Sequence, residues 1–219
     1  MTAKVDHEER RRQIAEALLR IADTEGLQSA SMRAVATEAG VSLRLVQYYF
    51  TTKEGLLLDA LARLGAQLQA RMERWIGEAR APRDVVTAIL SCILPTDAES
   101  RRITRTYAAY YTLVLNDPAV PAKQAAQPPV VLEGFLAKQL RAAQETGEID
   151  ARRDTGVTAA GLLAMVNGLG SSVLGGQRSG EEALAILAYH LDELFGPSRS
   201  RSRSRSLSPS PSRSSPSAD

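Results

Sequence analysis

SMRAVATEAGVSLRLVQYYFTTKEGLL, residues 31–57, holds two short apolar patterns of helical period on either side of a three-residue break. In the first, Met32, Val35, Ala36 and Ala39 share one face; in the second, Leu45, Val46, Tyr49 and Phe50 do. The break, Gly40-Val41-Ser42, has the length of the turn in a helix-turn-helix. Each position in it has a steric reason. Ala36 is small where the two helices cross, Gly40 admits the positive φ of a tight turn, and Val41 and Val46 fill the wedge between them. Ser31, Ser42 and Thr52 stand where helix N-caps are needed.

In a DNA-reading unit of this kind the second helix presents its N-terminal outward residues to base edges in the major groove. Here those are Ser42, Leu43, Arg44, Gln47 and Tyr48. Arginine pairs bidentately with guanine, glutamine with adenine, and a leucine side chain lies against a thymine methyl. Ser31 and Arg33 at one helix start, with Thr52 and Lys53 at another, are placed to grip phosphates, which positions a protein without specifying sequence. Spacing alone leaves a plain pair of packed helices equally open. Residues 1–55 carry eight basic and eight acidic side chains, so no basic surplus decides between the two.

Outward from this stretch, apolar residues recur at three- and four-residue steps and no segment sustains two-residue alternation, so the chain is expected to be all-α. Helices are predicted near 8–25, 31–39, 42–50, 52–78, 83–94, 97–116, 121–146, 155–175 and 180–195. Gly26, Pro82, Pro95, Pro118, Gly147 and the Gly175-Gly176 pair punctuate them, and Asp154 is a further N-cap candidate. The domains expected are a three-helix unit over 8–55 with its motif at 31–50, a larger helical body over 56–196, and a tail over 197–219. The whole chain, 219 residues with 27 Lys+Arg against 25 Asp+Glu, has a formal charge of +2. That average hides two unlike parts. The tail holds five arginines and one aspartate among serines and prolines, net +4, which leaves residues 1–196 at −2. A segment so poor in apolar groups cannot offset the entropy of ordering it. It reads as a solvated appendage or as a weak, salt-sensitive nucleic-acid contact.

With 44% hydrophobic and 24% charged residues the composition excludes fibrous, collagen-like and wholly disordered classes. One cysteine, Cys92, can form neither an internal disulfide nor a thiolate cluster, and residues 1–12 lack the apolar stretch of a secretory signal, so a cytoplasmic location is expected. The sequence points away from catalysis. His7 and His190 lie near opposite ends of the chain, and no zinc, phosphate-loop, dinucleotide or nucleophile-elbow motif is present, so no metal and no cofactor is expected.

The wording RRQIAEALLRIADTEG, SMRAVATEAGVS and YYFTTKEGLLLDAL, spread over residues 11–61, resembles the N-terminal domain of the TetR family of bacterial transcription regulators. The Lys53-Glu54-Gly55-Leu56-Leu57 run and the later LRAAQETGEIDARRDTGVTAAGLLAMVNGLG are similar to the BetI-like branch of that family. Many members carry tyrosine at the place of Gln47 and histidine at the place of Tyr49; with Gln47 here, the usual tyrosine–phosphate contact passes to Tyr48. The resemblance implies a DNA-binding regulator, most often a repressor, whose body takes a small-molecule effector and forms a homodimer on double-stranded operator DNA. A helical small-molecule binding or sequestering protein without specific DNA binding is the alternative.

Within the body, Leu57, Leu61, Leu64, Leu68, Met72 and Trp75 form a stripe along helix 52–78; by resemblance this helix links reader to body, and a plain core helix explains the spacing as well. Tyr107, Tyr110, Tyr111 and Val114 share a face of the helix near 97–116. With Trp75, Cys92, Phe135, Met165 and Asn167 they are candidates to line an effector pocket for a bulky, mostly uncharged ligand; ordinary core packing accounts for the same spacing. Residues 155–177 carry no charge, which raises a membrane span, but glycines and polar residues make it a poor one. Ala160, Ala164, Gly168, Ser172 and Gly176 repeat every fourth residue and suit close approach of a second helix. The apolar stripe Leu184, Leu187, Leu191, Leu194 and Phe195 completes a helical hairpin, and the resemblance implies that two such hairpins form the dimer interface.

Overall fold

The computed structural model describes residues 2–116 and 127–196, with side chains described for 6–112 and 130–196; the tail 197–219, residues 121–126 of one predicted helix and the Val114 side chain lie outside them. Nine α-helices occur among the described residues: α1 Thr2–Thr24, α2 Met32–Glu38, α3 Leu43–Tyr49, α4 Lys53–Ile76, α5 Pro82–Ile93, α6 Ala98–Asn116, α7 Gln127–Glu145, α8 Thr155–Leu174 and α9 Gly180–Phe195. Most ends fall within a residue or two of those read from the sequence. The start of α1 does not. Its first turns, with Asp6, Glu8 and Glu9, show no apolar period and make polar contacts instead, Glu9 with Arg12 and Glu8 with Arg63 of α4.

The predicted caps form as hydrogen bonds. The hydroxyls of Ser31, Ser42 and Thr52 accept from the backbone N–H of Ala34, Leu45 and Gly55 at 3.1, 3.2 and 3.1 Å, and Asp154 accepts from Gly156 and Val157. Between α2 and α3, Val41 N–H reaches Ala36 O at 2.9 Å and Gly40 N–H reaches Thr37 O at 3.1 Å, with Gly40 at φ +67°. This is a Schellman stop, and its left-handed residue has open space around it. The constraint is therefore backbone strain alone. Gly40→Val is expected to destabilise the protein by about 1–2 kcal/mol, read as a lowered urea midpoint at unchanged slope.

Two cores organise the described residues. The first joins α1 (Ile14, Leu18, Ile21), α2 (Val35), α3 (Val46), Phe50 and the start of α4 (Leu56, Leu57, Ala60, Leu61), and it takes in Tyr110 from α6. The second joins α5, α7, α8 and α9 through Val86, Ile89, Leu136, Leu140, Val166 and Leu187. The boundary expected at 55/56 thus falls inside α4, whose first half belongs to the head. Ion pairs reinforce that allegiance: Asp59 accepts from Arg11 at 2.9 Å and from Arg63 at 2.7 Å, and Arg63 also reaches Glu8 at 2.6 Å. The stripe predicted along α4 is buried at Leu57, Leu61 and Leu64, then half-buried at Leu68 and Met72, and Trp75 is exposed. The buried position in that second half is Arg71.

Candidate nucleic-acid interface and effector body

The α2-turn-α3 unit buries Val35, Ala36 and Val46 and leaves Ser31, Arg33, Ser42, Arg44, Gln47, Tyr48 and Thr52 exposed, with Leu43 and Lys53 half-buried. Helical period dictates this. Val46 must face α2, which turns Arg44, Gln47 and Tyr48 outward. The three capping hydroxyls spend a lone pair on their helix and keep an O–H to donate, which suits a phosphate oxygen beside a helix N-terminus. Charge is sorted as well. In the head, Arg11, Arg12 and Arg20 are tied up in ion pairs, whereas among the described residues no ion pair engages Arg33, Arg44 or Lys53. A head with no net charge therefore still offers free cations on the face that the turn presents.

The residues proposed for an effector pocket do not gather at one place. Tyr110 is 1% exposed and sits in the head's core, because α6 packs against α1; Tyr107 places its hydroxyl near Gly65 of α4, where a Cβ would stand 3.6 Å from it. Both hydroxyls are buried without a hydrogen-bond partner among the described residues. Burial pushes the Tyr107 phenol up to about 12, with a further push from Tyr111, so it stays a neutral donor. Tyr111 and Phe135 are exposed. Cys92 is buried, its thiol pushed up to about 11 by burial, and its carbonyl accepts from Arg71 at 3.2 Å, while the Arg71 guanidinium lies 5.5 Å from the Trp75 ring centroid.

The α8–α9 hairpin places the remaining candidates. Asn167 is exposed with Ala164 and Gly168 on the ridge of α8, and Met165 lines a groove of about 300 Å³ between α8 and α9 with Gly161, Leu162 and His190. Ala160 and Ser172 flank the ridge half-buried. Leu187 and Leu191 are buried in the chain's own second core and Leu184 is half-buried, so the apolar stripe of α9 is satisfied internally; Ala185, Tyr189 and His190 face out instead. One feature left unread in the sequence is the Arg71 cluster. Its guanidinium binds Asp97 and Glu99 across 26 and 28 residues, and such spacing carries no local signal. A second is the Ser179–Glu182 capping box that starts α9.

A helix-turn-helix with free cations on its exposed face, joined by one shared helix to a separately cored helical body, defines a one-component regulator: reader and sensor in a single chain. Residues 14–60 match the bacterial regulatory proteins of the tetR family, and residues 82–196 match the BetI-type transcriptional repressor C-terminal family. The chain belongs to the TetR family of DNA-binding transcriptional regulators, with a BetI-type body. Among its relatives, the HTH-type transcriptional regulator BetI of Paraburkholderia phymatum is 30% identical over 163 residues, 74% of this chain and 80% of that protein. The HTH-type transcriptional regulator PksA of Bacillus subtilis is 34% identical over 110 residues, 50% of this chain and 54% of PksA, so the chain spans about half of that relative. A solved TetR-family regulator from Rhodococcus superposes with a TM-score of 0.77 at 26% identity, covering 86% of this chain and 99% of that one. Among solved structures of the same fold, a putative transcriptional regulator from Saccharomonospora viridis is in complex with choline, and AibR is in complex with isovaleryl coenzyme A and operator DNA.

Proposed function

We propose that the chain acts in the cytoplasm as a homodimeric repressor whose α3 helices, roughly 34–36 Å apart, read successive major-groove faces of a palindromic operator. The observation that carries this reading is the pairing of buried Val46 with exposed Arg44, Gln47 and Tyr48 on α3, of which Arg44 and Gln47 have no side-chain partner among the described residues. Phosphate grip comes from Ser31, Arg33, Thr52 and Lys53 at the starts of α2 and α4. The effector is a bulky, mostly uncharged molecule. Supporting this, the buried cation of the body, Arg71, is already neutralised by Asp97 and Glu99, while the Tyr107 and Tyr110 hydroxyls have no partner and leaving such groups unmatched costs about 1–3 kcal/mol each. An oxygen acceptor on the effector would satisfy them at the junction of α4 and α6, where body meets head. A coupling of about 1–3 kcal/mol between the two sites weakens DNA binding roughly 5- to 150-fold. The test is a gel shift against the gene's own upstream intergenic DNA, in which a saturable complex must survive excess competitor. A chain that only sequesters a small molecule forms no such complex.

Dimerisation is assigned to the outer ridge of α8. That helix has 20 residues at a mean hydropathy of 1.6, long and apolar enough to cross a membrane by those measures, but Ala159, Leu162, Leu163, Val166, Leu169 and Val173 pack into the second core. Its other side shows Val157, Gly161, Ala164, Gly168 and Ser171, small enough for a helix of a second copy to cross closely. Nothing lies within 4 Å of a Cβ built on Gly168. Gly168→Leu is therefore expected to leave the protomer folded and to convert dimer to monomer at low micromolar concentration by sedimentation. A variant that stays fully dimeric removes this ridge from the interface.

A further inference from the structure

We infer that His7, outside the helix-turn-helix, is a positioning residue for DNA binding that holds Tyr48 in place at the far end of α3. The inference rests on the reading of α3 as the DNA-reading helix. An α-helix of seven residues has too few internal hydrogen bonds to keep its own shape, so its attitude is set by what grips its two ends. The N-terminal end is held by the Ser42 cap and the Gly40 turn. The C-terminal end, Tyr48-Tyr49-Phe50, is held from α1. There the His7 ring centroid lies 4.6 Å from that of Tyr49 and 6.3 Å from that of Tyr48, the latter edge-on at 70°. Tyr48 and Tyr49 meet edge-on at 5.2 Å and 88°, closing a three-ring cluster. One turn further along the same face of α1, the Arg11 guanidinium lies 4.7 Å from the centroid of Phe50.

Tyr48 is 72% exposed, the most exposed of the large apolar side chains among the described residues, and a ring left in water at the end of a recognition helix is free to swing unless something braces it. The His7 and Tyr49 rings both meet it edge-on while most of the side chain stays in solvent. A braced side chain loses less rotamer freedom on binding, so the gain is in affinity that no new DNA contact explains. Because Arg11 also binds Asp59 of α4, the same face of α1 that steadies α3 is tied to the helix leading into the body.

The test uses the full chain and a duplex enriched by the wild-type protein from a random library, with a scrambled duplex as reference. His7→Ala is expected to weaken binding to the enriched duplex roughly 3- to 10-fold, and His7→Phe, which keeps a ring, to stay within about two-fold of wild type. On a Tyr48→Ala background, His7→Ala should add no further loss. Thermal midpoints of the His7 variants should match wild type. Wild-type affinity in His7→Ala overturns the inference, as does a His7→Phe as weak as His7→Ala, which makes the imidazole N–H itself the contact. A full additional loss on the Tyr48→Ala background overturns it too, since His7 then acts elsewhere. These outcomes leave the DNA-reading role of α3 standing if Arg44→Ala still reduces preference for the enriched duplex. Failure of the wild-type protein to enrich any sequence overturns both.

Discussion

Arg44→Ala is expected to lower affinity for the enriched operator duplex roughly 5- to 150-fold while changing affinity for scrambled DNA little, because one bidentate arginine–guanine pair is worth about 1–3 kcal/mol of discrimination. The geometry allows the loss to be read as recognition rather than folding. Arg44 is exposed on α3, and among the described residues no ion pair or hydrogen bond holds it, while the packing of that helix rests on Val46, Phe50 and the Ser42 cap. Truncation therefore removes a side chain that supports nothing in the free protein. Lys53→Ala supplies the contrast. Without its ammonium at the start of α4 to meet a phosphate, binding to both duplexes should weaken alike, and the slope of log affinity against log salt should fall by about one. Fluorescence anisotropy on both duplexes at several salt concentrations separates the two behaviours. Equal losses from the two variants, independent of sequence, would falsify the assignment of Arg44 to base readout.

The reader head was largely legible in the sequence because its determinants are local. A capping hydroxyl meets a backbone N–H three residues on, and Gly40 closes its turn on Ala36 and Thr37; Ser31, Ser42, Thr52 and Gly40 can all be placed from a window of a few residues. The body was less legible for two physical reasons. An apolar stripe such as Leu184, Leu187 and Leu191 reads the same whether it meets α5 of its own chain or a second copy, and only the three-dimensional packing shows that the protomer claims it. Tyrosines spaced for one face do not reveal which neighbour that face meets: Tyr110 serves the head's core, Tyr107 approaches Gly65, and Tyr111 reaches solvent. Under the proposed function that division would give the coupling a route: an effector that satisfied the Tyr107 hydroxyl beside Gly65 would act on the helix the two cores share.

The opposite end of that shared helix is fixed by Arg71, and its removal is expected to have the largest effect on stability. The guanidinium side chain is 5% exposed and bridges three elements: Nε donates to Cys92 O at the end of α5 at 3.2 Å, Nη1 to Glu99 of α6 at 2.8 Å, and Nη2 to Asp97, which itself accepts from Ser100 N–H at 2.9 Å to cap α6. Removing one partner of a fully buried pair costs about 3–5 kcal/mol; here the carboxylates are partly exposed and water can take them up again, so about 2–3 kcal/mol is expected for Arg71→Met, which keeps most of the volume. Arg71→Lys should recover only part of it, since a single ammonium cannot reproduce the fork that reaches three acceptors. Burial works to raise the Asp97 carboxyl, but the Ser100 N–H and the Arg71 guanidinium outweigh it and hold it below its ordinary value; for Glu99, Arg71 and Arg74 outweigh burial in the same way. Acids depressed in the folded state contribute stability that is present above their unfolded values, about 4, and is lost as the pH falls through the folded ones. The stability gap between wild type and Arg71→Met, measured by urea unfolding, should therefore hold steady from pH 7 down to about 5 and narrow below about 4. A gap that is small at pH 7, or that stays constant down to pH 3, means that these charges do not anchor α4 to the body.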